Sequence, residues 1–201
     1  MNCSAIIVAS GRSRRMGFDK LTVPLGGLPV LRRAVDAFLA APSVSEIIVV
    51  TTPKRFATLE LGTDLTKPVH RVDGGAERRD SVANGIAAVH PDARHIAVHD
   101  GARPLVTPAA IELCIAASAK HGAAALARRA TETMMRAGPD GFTRGLVDRS
   151  DLWLMETPQV FRARLLRRAY QMVKSRAEPV TDEVSAVLFF SVQHSAFTGR
   201  K

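Results

Sequence analysis

The feature that most constrains this chain is a set of short apolar runs that do not alternate with polar residues. Ser4-Ala5-Ile6-Ile7-Val8-Ala9, Glu46-Ile47-Ile48-Val49-Val50-Thr51 and His95-Ile96-Ala97-Val98-His99 are the clearest, and Ala123 to Ala127 is a fainter fourth. A strand with one wet face alternates, whereas a strand covered on both faces does not. These runs therefore predict buried strands. Helical patterns lie between them. After Pro29, suited to the first position of a helix, Val30, Leu31, Ala34, Val35, Phe38 and Leu39 recur at helical spacing. Thr107-Pro108 opens another helix as cap and first residue, with Ile111, Cys114 and Ile115 on its inner stripe. A third follows Phe161, where Leu165, Leu166, Ala169, Tyr170 and Val173 share a face. This alternation predicts an α/β fold with a doubly wound, mostly parallel sheet, and places ligands at the carboxyl ends of its strands.

The rhythm breaks from about Arg128 to Pro158. That stretch is polar, carries the turn signal Gly138-Pro139-Asp140-Gly141 and has short extended-looking pieces on either side. It reads as a hairpin excursion or as a plain surface loop. With 201 residues, 46% of them hydrophobic, the rest of the chain suits one domain with a full core. No apolar run approaches the roughly 20 residues that span a bilayer, and Met1-Asn2-Cys3-Ser4 lacks a signal-peptide pattern, so a cytoplasmic protein without membrane contact is expected. Cys3 and Cys114 sit in apolar segments without metal-ligand spacing and read as core residues. The net charge of +9 favours an anionic partner. Only 5% of residues are aromatic, and such scarce stacking surface weighs against nucleic acid.

Three loops carry candidate chemistry. The first strand runs into Ser10-Gly11-Arg12-Ser13-Arg14-Arg15-Met16, a small-residue turn with three arginines, and Lys20 follows within reach of the same anion. Backbone N–H groups at a strand-to-helix turn cradle phosphate oxygens, and guanidinium groups add bidentate contacts. The turn fits neither the Walker loop nor the G-x-G-x-x-G fingerprint. The second loop, Asp73-Gly74-Gly75-Ala76-Glu77-Arg78-Arg79-Asp80-Ser81, precedes a helix through Val82, Ile86 and Val89; its glycines permit close approach to a ligand, and Ser81 either caps the helix or bonds that ligand. The third, His99-Asp100-Gly101-Ala102-Arg103-Pro104, puts a carboxylate beside an arginine at a strand end. Asp100 suits magnesium or forms a structural pair with Arg103. His99 reads as a hydrogen-bonding support, and Arg162, Arg164, Arg167 and Arg168 read as a solvated helix face.

These loops also carry a resemblance. Ser10 to Met16 is similar to the A-A-G-x-G-x-R-M loop of the 2-C-methyl-D-erythritol 4-phosphate cytidylyltransferases, and His99 to Pro104 resembles their H-D-A/G-A-R-P. Val147-Asp148-Arg149, Leu152-Trp153, Thr157-Pro158-Gln159-Val160-Phe161 and Thr181-Asp182-Glu183 resemble further motifs in the same order, from about Ser4 to Val187. The resemblance implies a Rossmann-like sheet with a projecting β-arm at about 128–158, and transfer of CMP from CTP with magnesium to a polyol phosphate. By the same resemblance, Arg15 and Lys20 stabilise charge on the α-phosphate. Ala9, Ser10, Gly11, Arg12, Ser13, Gly74, Gly75, Ala76, Ser81 and Asp100 bind the nucleotide, and Asp100 also binds the metal. Arg103 orients substrate, and Thr181 closes over the acceptor. Thr133 and Arg149 reach the neighbour's site in a homodimer joined by the arm, with Trp153 anchoring that arm.

Some positions depart from the family's pattern. Its usual P-K-Q reads Asp19-Lys20-Leu21, so the lysine keeps its place beside an acid that is expected to mute its charge. Its Asp-Thr-apolar-Lys reads Glu132-Thr133-Met134-Met135, which keeps ribitol 5-phosphate open as an alternative acceptor. The family's pattern continues past Gly199-Arg200-Lys201 with a segment bearing a carboxylate and a lysine, and this form is expected to lack it. A catalytically impaired, truncated homologue is therefore a further reading.

Overall fold

The buried runs form the middle of one six-stranded sheet. The computed structural model describes residues 2–11, 16–176 and 180–198, the last seven as helix backbone only. Its elements run in order β1 (Cys3–Val8), β2 (Pro24–Leu25), β3 (Leu28–Pro29), α1 (Val30–Leu39), β4 (Val44–Val50), α2 (Pro53–Ala57), β5 (Val69–Val72), α3 (Arg78–Ala88), β6 (His95–Asp100), α4 (Pro108–His121), β7 (Ala123–Arg129), β8 (Met135–Ala137), β9 (Thr143–Leu146), β10 (Trp153–Arg162), α5 (Ala163–Arg176) and α6 (Glu183–Thr198). The sheet order is β5-β4-β1-β6-β10-β7. The neighbours from β5 to β6 are parallel, and β10 lies antiparallel to both β6 and β7. The fold is the α/β arrangement with a mostly parallel sheet that the pattern predicts.

Two apolar layers explain why the strands lack alternation. Ala5 and Ile7 of β1, with Ile47 and Val49 of β4, face α1 and α4 through Leu31, Val35, Phe38, Ile111 and Ile115. Ile6, Ile48, Ile96 and Val98 face the other way, toward α3, α5 and α6 through Val82, Ile86, Leu166, Tyr170 and Phe190. Successive strand residues thus enter opposite cores, and each must be apolar. Cys3 and Cys114 are buried in the first layer, as expected. Burial pushes their thiols up to about 12 and about 11, away from reactivity.

Local signals set the helix ends. Thr107 Oγ1 accepts from Ala110 N at 3.2 Å with Pro108 at the first helical position, and Gly122 ends α4 at a φ of +92°. The excursion is a hairpin rather than a plain loop: β8 and β9 pair antiparallel around the Gly138–Gly141 turn, where Gly141 N donates to Gly138 O at 2.9 Å. Trp153 sits at its root, half exposed, with the Arg129 guanidinium 5.0 Å from its ring. The arginine face after Phe161 is solvent-facing at Arg162 and Arg164, while Arg167 donates to the carbonyls of Val89 and His90 beyond the end of α3 and the Arg168 guanidinium lies 5.1 Å from the Phe190 ring. No helix among the described residues is long and apolar enough to cross a membrane.

Candidate active site

From β1 the sheet grows in both directions, to β4 and β5 on one side and to β6 on the other. Loops leaving β1 and β6 therefore diverge and open a crevice at the carboxyl ends of the strands. A cleft of about 1270 Å³ occupies that position. Val8, Ala9, Ser10 and Gly11 from the β1 end, Lys20, Gly75 to Arg78, Ser81, and Asp100, Ala102 and Arg103 from the β6 end line it. Most of the expected nucleotide-binding residues thus converge. Arg12, Ser13 and Arg15 lie outside the described residues.

The second loop is shaped by contacts within the protein. A Cβ on Gly74 would stand 2.4 Å from Ser10 Cβ, and one on Gly75 would stand 2.2 Å from Asp80 Cβ. Gly74 is thus required by the approach of the first loop and Gly75 by the first turn of α3, whatever ligand they also admit. Ser81 does not cap α3. Glu77 is the cap, in a reciprocal capping box with Asp80. The Ser81 hydroxyl accepts from Gly75 N at 3.0 Å and lies 2.9 Å from Ser10 Oγ, pinning the first and second loops together.

The third loop is held from beneath by His99, which is wholly buried, between the Arg103 carbonyl and the Thr157 hydroxyl. Burial lowers its pKa to about 4, so the imidazole is neutral. Asp100 sits above it, one-third exposed, with Arg78 at 3.0 Å and Arg103 at 3.3 Å. Burial alone would raise the Asp100 pKa, but the Arg78 charge outweighs it and the carboxyl stays ionised. The structural Asp100–Arg103 pair is thus present, and Arg78 exceeds it in closeness. Arg78 also reaches the fully buried Glu183 at 2.7 Å, and the Tyr170 hydroxyl donates to the same carboxylate at 2.9 Å. Burial works against the Arg78 charge, yet its two carboxylates raise its pKa further. Sequence reading placed Arg78 in the right loop without a role, because its partner Glu183 is 105 residues away.

Asp19, the acidic neighbour of Lys20, is paired with Arg55. Its carboxylate accepts from Arg55 Nε at 2.8 Å and from Leu21 N at 3.1 Å, leaving Lys20 on the cleft wall. Thr181 precedes α6, and its N–H donates to Ser185 Oγ at 3.2 Å. The start of that helix is read by Gln159 of β10, whose Oε1 accepts from Glu183 N and Val184 N while its amide donates to Asp182. Two motifs far apart in sequence, Thr157-Pro158-Gln159 and Thr181-Asp182-Glu183, are therefore halves of one contact. Thr133 and Arg149 are not in the main cleft; they line a separate concavity of about 310 Å³ on the hairpin.

For magnesium the described part of the cleft offers the carboxylates of Asp100 and Glu77. No group of three or more His, Cys, Asp or Glu side chains converges among the described residues. Magnesium commonly takes one or two carboxylates and completes its shell with water and substrate phosphates. Asp100 and the more exposed Glu77 are the carboxylates that line the cleft among the described residues, and so sparse a set fits a metal that arrives with a polyphosphate.

Comparison with known proteins gives a consistent outcome. The chain is 38% identical over 192 residues to 2-C-methyl-D-erythritol 4-phosphate cytidylyltransferase of Pelotomaculum thermopropionicum, covering 92% of this chain and 80% of that one. It is 40% identical over 198 residues to the enzyme of that name from Symbiobacterium thermophilum, covering 98% and 84%. Among solved structures, the 4-diphosphocytidyl-2C-methyl-D-erythritol synthase of Anaerococcus prevotii superposes with a TM-score of 0.80 at 26% identity, over 94% of this chain and 82% of that one. The cytidylyltransferase of Thermus thermophilus gives 0.77 at 27%, over 95% and 85%. The family model for 2-C-methyl-D-erythritol 4-phosphate cytidylyltransferase matches residues 3–201, and the chain belongs to that family.

Proposed function

We propose that the protein transfers the cytidylyl group of CTP to 2-C-methyl-D-erythritol 4-phosphate, a step of non-mevalonate isoprenoid precursor synthesis. An oxygen of the acceptor phosphate forms a bond to the α-phosphorus, the bond from that phosphorus to the bridging oxygen breaks, and pyrophosphate leaves. The observation that carries this reading is the cleft itself, in which the expected nucleotide loops meet at the ends of β1 and β6 beside Lys20, Arg78 and Arg103. Ala9, Ser10, Gly11, Gly74, Gly75, Ala76 and Ser81 hold the nucleotide in this scheme. Lys20, with Arg15, faces the charge that develops on the α-phosphate, and fixed cations aimed there are the main source of rate in such transfers. Arg103 orients the substrate phosphate and Thr181 closes the acceptor side. Asp100 would hold a magnesium ion, which neutralises triphosphate charge when bound.

The acceptor side is proposed to be shared. Thr133 and Arg149 sit on the hairpin, away from the main cleft, where they serve a second copy of the chain in a homodimer. The sheet and hairpin then act as one nucleotidyltransferase unit. The proposed compartment is the cytoplasm.

Pyrophosphate release with magnesium and CTP tests the reaction. We expect it with 2-C-methyl-D-erythritol 4-phosphate and not with ribitol 5-phosphate, and we expect Lys20→Ala to lower the rate about a hundred- to a thousandfold. Met135, where the family carries a lysine, makes ribitol 5-phosphate the acceptor to compare. Release with neither acceptor would overturn the reading. Sedimentation at several concentrations tests the homodimer, and a fully active monomer would overturn that part.

A further inference from the structure

Arg55 of α2 is an unusual residue for a surface helix of five residues. It is 8% exposed, and all of its guanidinium points at one loop. Nη1 donates to the carbonyl of Ala9, and Nη2 to that of Gly11 at 3.2 Å. Nε donates to Asp19 Oδ2 at 2.8 Å. The two carbonyls open the loop that leaves β1, and the carboxylate closes it one residue before Lys20. The other oxygen of Asp19 accepts from Leu21 N at 3.1 Å, and the Asp19 carbonyl accepts from Thr22 N at 3.2 Å. Leu21 is buried in the core. Lys20 therefore lines the cleft from a backbone held on both sides, and among the described residues the Arg55 side chain ties this end of the loop to its beginning.

We infer that Arg55 is a positioning residue for the proposed transfer, joining the two ends of the loop 9–19 and thereby aiming Lys20 at the nucleotide. This rests on the reading of the cleft as a CTP site. The planar fork of arginine suits the role, since its three nitrogens meet three acceptors at once; a lysine ammonium is a point charge on a flexible stem and lacks that geometry. Arg55 touches the loop and not the reacting atoms. Its effect must pass through Lys20 and the loop's backbone.

The test combines kinetics with amide exchange on the full chain. Arg55→Gln is expected to lower kcat/KM for pyrophosphate release from CTP by roughly tenfold or more, chiefly in kcat, with Arg55→Lys in between. In a Lys20→Ala background the same change is expected to cost no more than about twofold, since residues that act through one another are non-additive. Hydrogen exchange at Leu21 and Thr22 should accelerate in Arg55→Gln while β4 and β6 keep their protection. Equal losses in both backgrounds, or unchanged exchange at Leu21 and Thr22, would overturn the inference. Should Arg55→Gln fail to fold, Asp19→Asn removes the charge pair from a side chain 36% exposed and carries the same two readouts. Were the unmodified protein to release no pyrophosphate with either acceptor, the functional reading would fail separately, and exchange at Leu21 and Thr22 would decide whether the tie exists.

Discussion

Thr157 Oγ1 stands 2.9 Å from Nδ1 of His99, and the contact on the opposite ring nitrogen decides which of the two donates. Nε2 lies 3.1 Å from the Arg103 carbonyl, which only accepts, so the hydrogen is on Nε2 and Nδ1 must accept. The Thr157 hydroxyl donates to it, and the same oxygen accepts from Asp100 N at 3.2 Å. One neutral ring thus holds the backbone at both ends of the Asp100–Arg103 turn, once directly and once through a threonine.

Thr157→Val is therefore expected to leave a buried acceptor on His99 and a buried donor on Asp100. The loss should be about 1–3 kcal/mol in urea denaturation, and Thr157→Ser should recover most of it. A valine variant as stable as the parent would show that water replaces the hydroxyl.

The same ring gives the protein a pH dependence. The folded pKa of His99, about 4, lies below the ordinary value of 6.5 because burial disfavours the charged form. The unfolded chain binds the proton more readily, so this contribution is complete above pH 6.5 and is lost as pH falls through 4. The size of the effect is roughly 3 kcal/mol. His95, buried without a hydrogen-bond partner among the described residues and shifted downward by burial, adds to it in the same direction. Denaturation midpoints across this window should fall with acid, and His99→Asn should flatten the slope.

Removing Arg78 exposes the cost of its partners. In Arg78→Met, Glu183 keeps Tyr170 but loses its guanidinium partner, and the Asp100 carboxylate loses its nearer cation. We expect a loss near about 3 kcal/mol, the low end for a broken buried pair, because Arg78 itself is partly exposed. Adding Glu183→Gln should return part of that stability. If thermal melts showed the two losses simply summing, the pair would not be coupled.

Gly74→Ala forces a methyl group into Ser10. At a built distance of 2.4 Å to Ser10 Cβ, the first and second loops must separate. A cost of about 1–3 kcal/mol is expected, as for other overpacked sites, with a matching loss of CTP affinity by calorimetry. Unchanged affinity would show that the loops' contact is dispensable for the nucleotide.

The sequence discloses the strands that enter two cores, because burial on both faces leaves a run of apolar residues that nothing else explains. It also discloses the loops at their carboxyl ends. It does not disclose β10 as a member of the sheet, since Trp153 to Arg162 mixes polar and apolar residues and carries Pro158. Nor does it disclose α2, whose five residues are too few for a period, or α6, which is apolar around much of its circumference. In the cleft, Asp100, Ser81 and Lys20 could be found from local motifs. Arg78, Arg55 and Gln159 could not, because each takes its meaning from a partner between 23 and 105 residues distant.

The hairpin leaves the sheet through a narrow neck. Ala130 N donates to Leu152 O at 3.0 Å, directly beyond the Arg129–Trp153 rung of the β7–β10 ladder. Everything between those residues hangs from a closed strand pair and contributes nothing to the walls of the cleft. The segment 131–151 is thus an exchangeable part. A graft of another hairpin at this neck would leave the cleft of its own chain intact, and under the proposed shared site it would change what each subunit lends its neighbour without rebuilding what it keeps for itself.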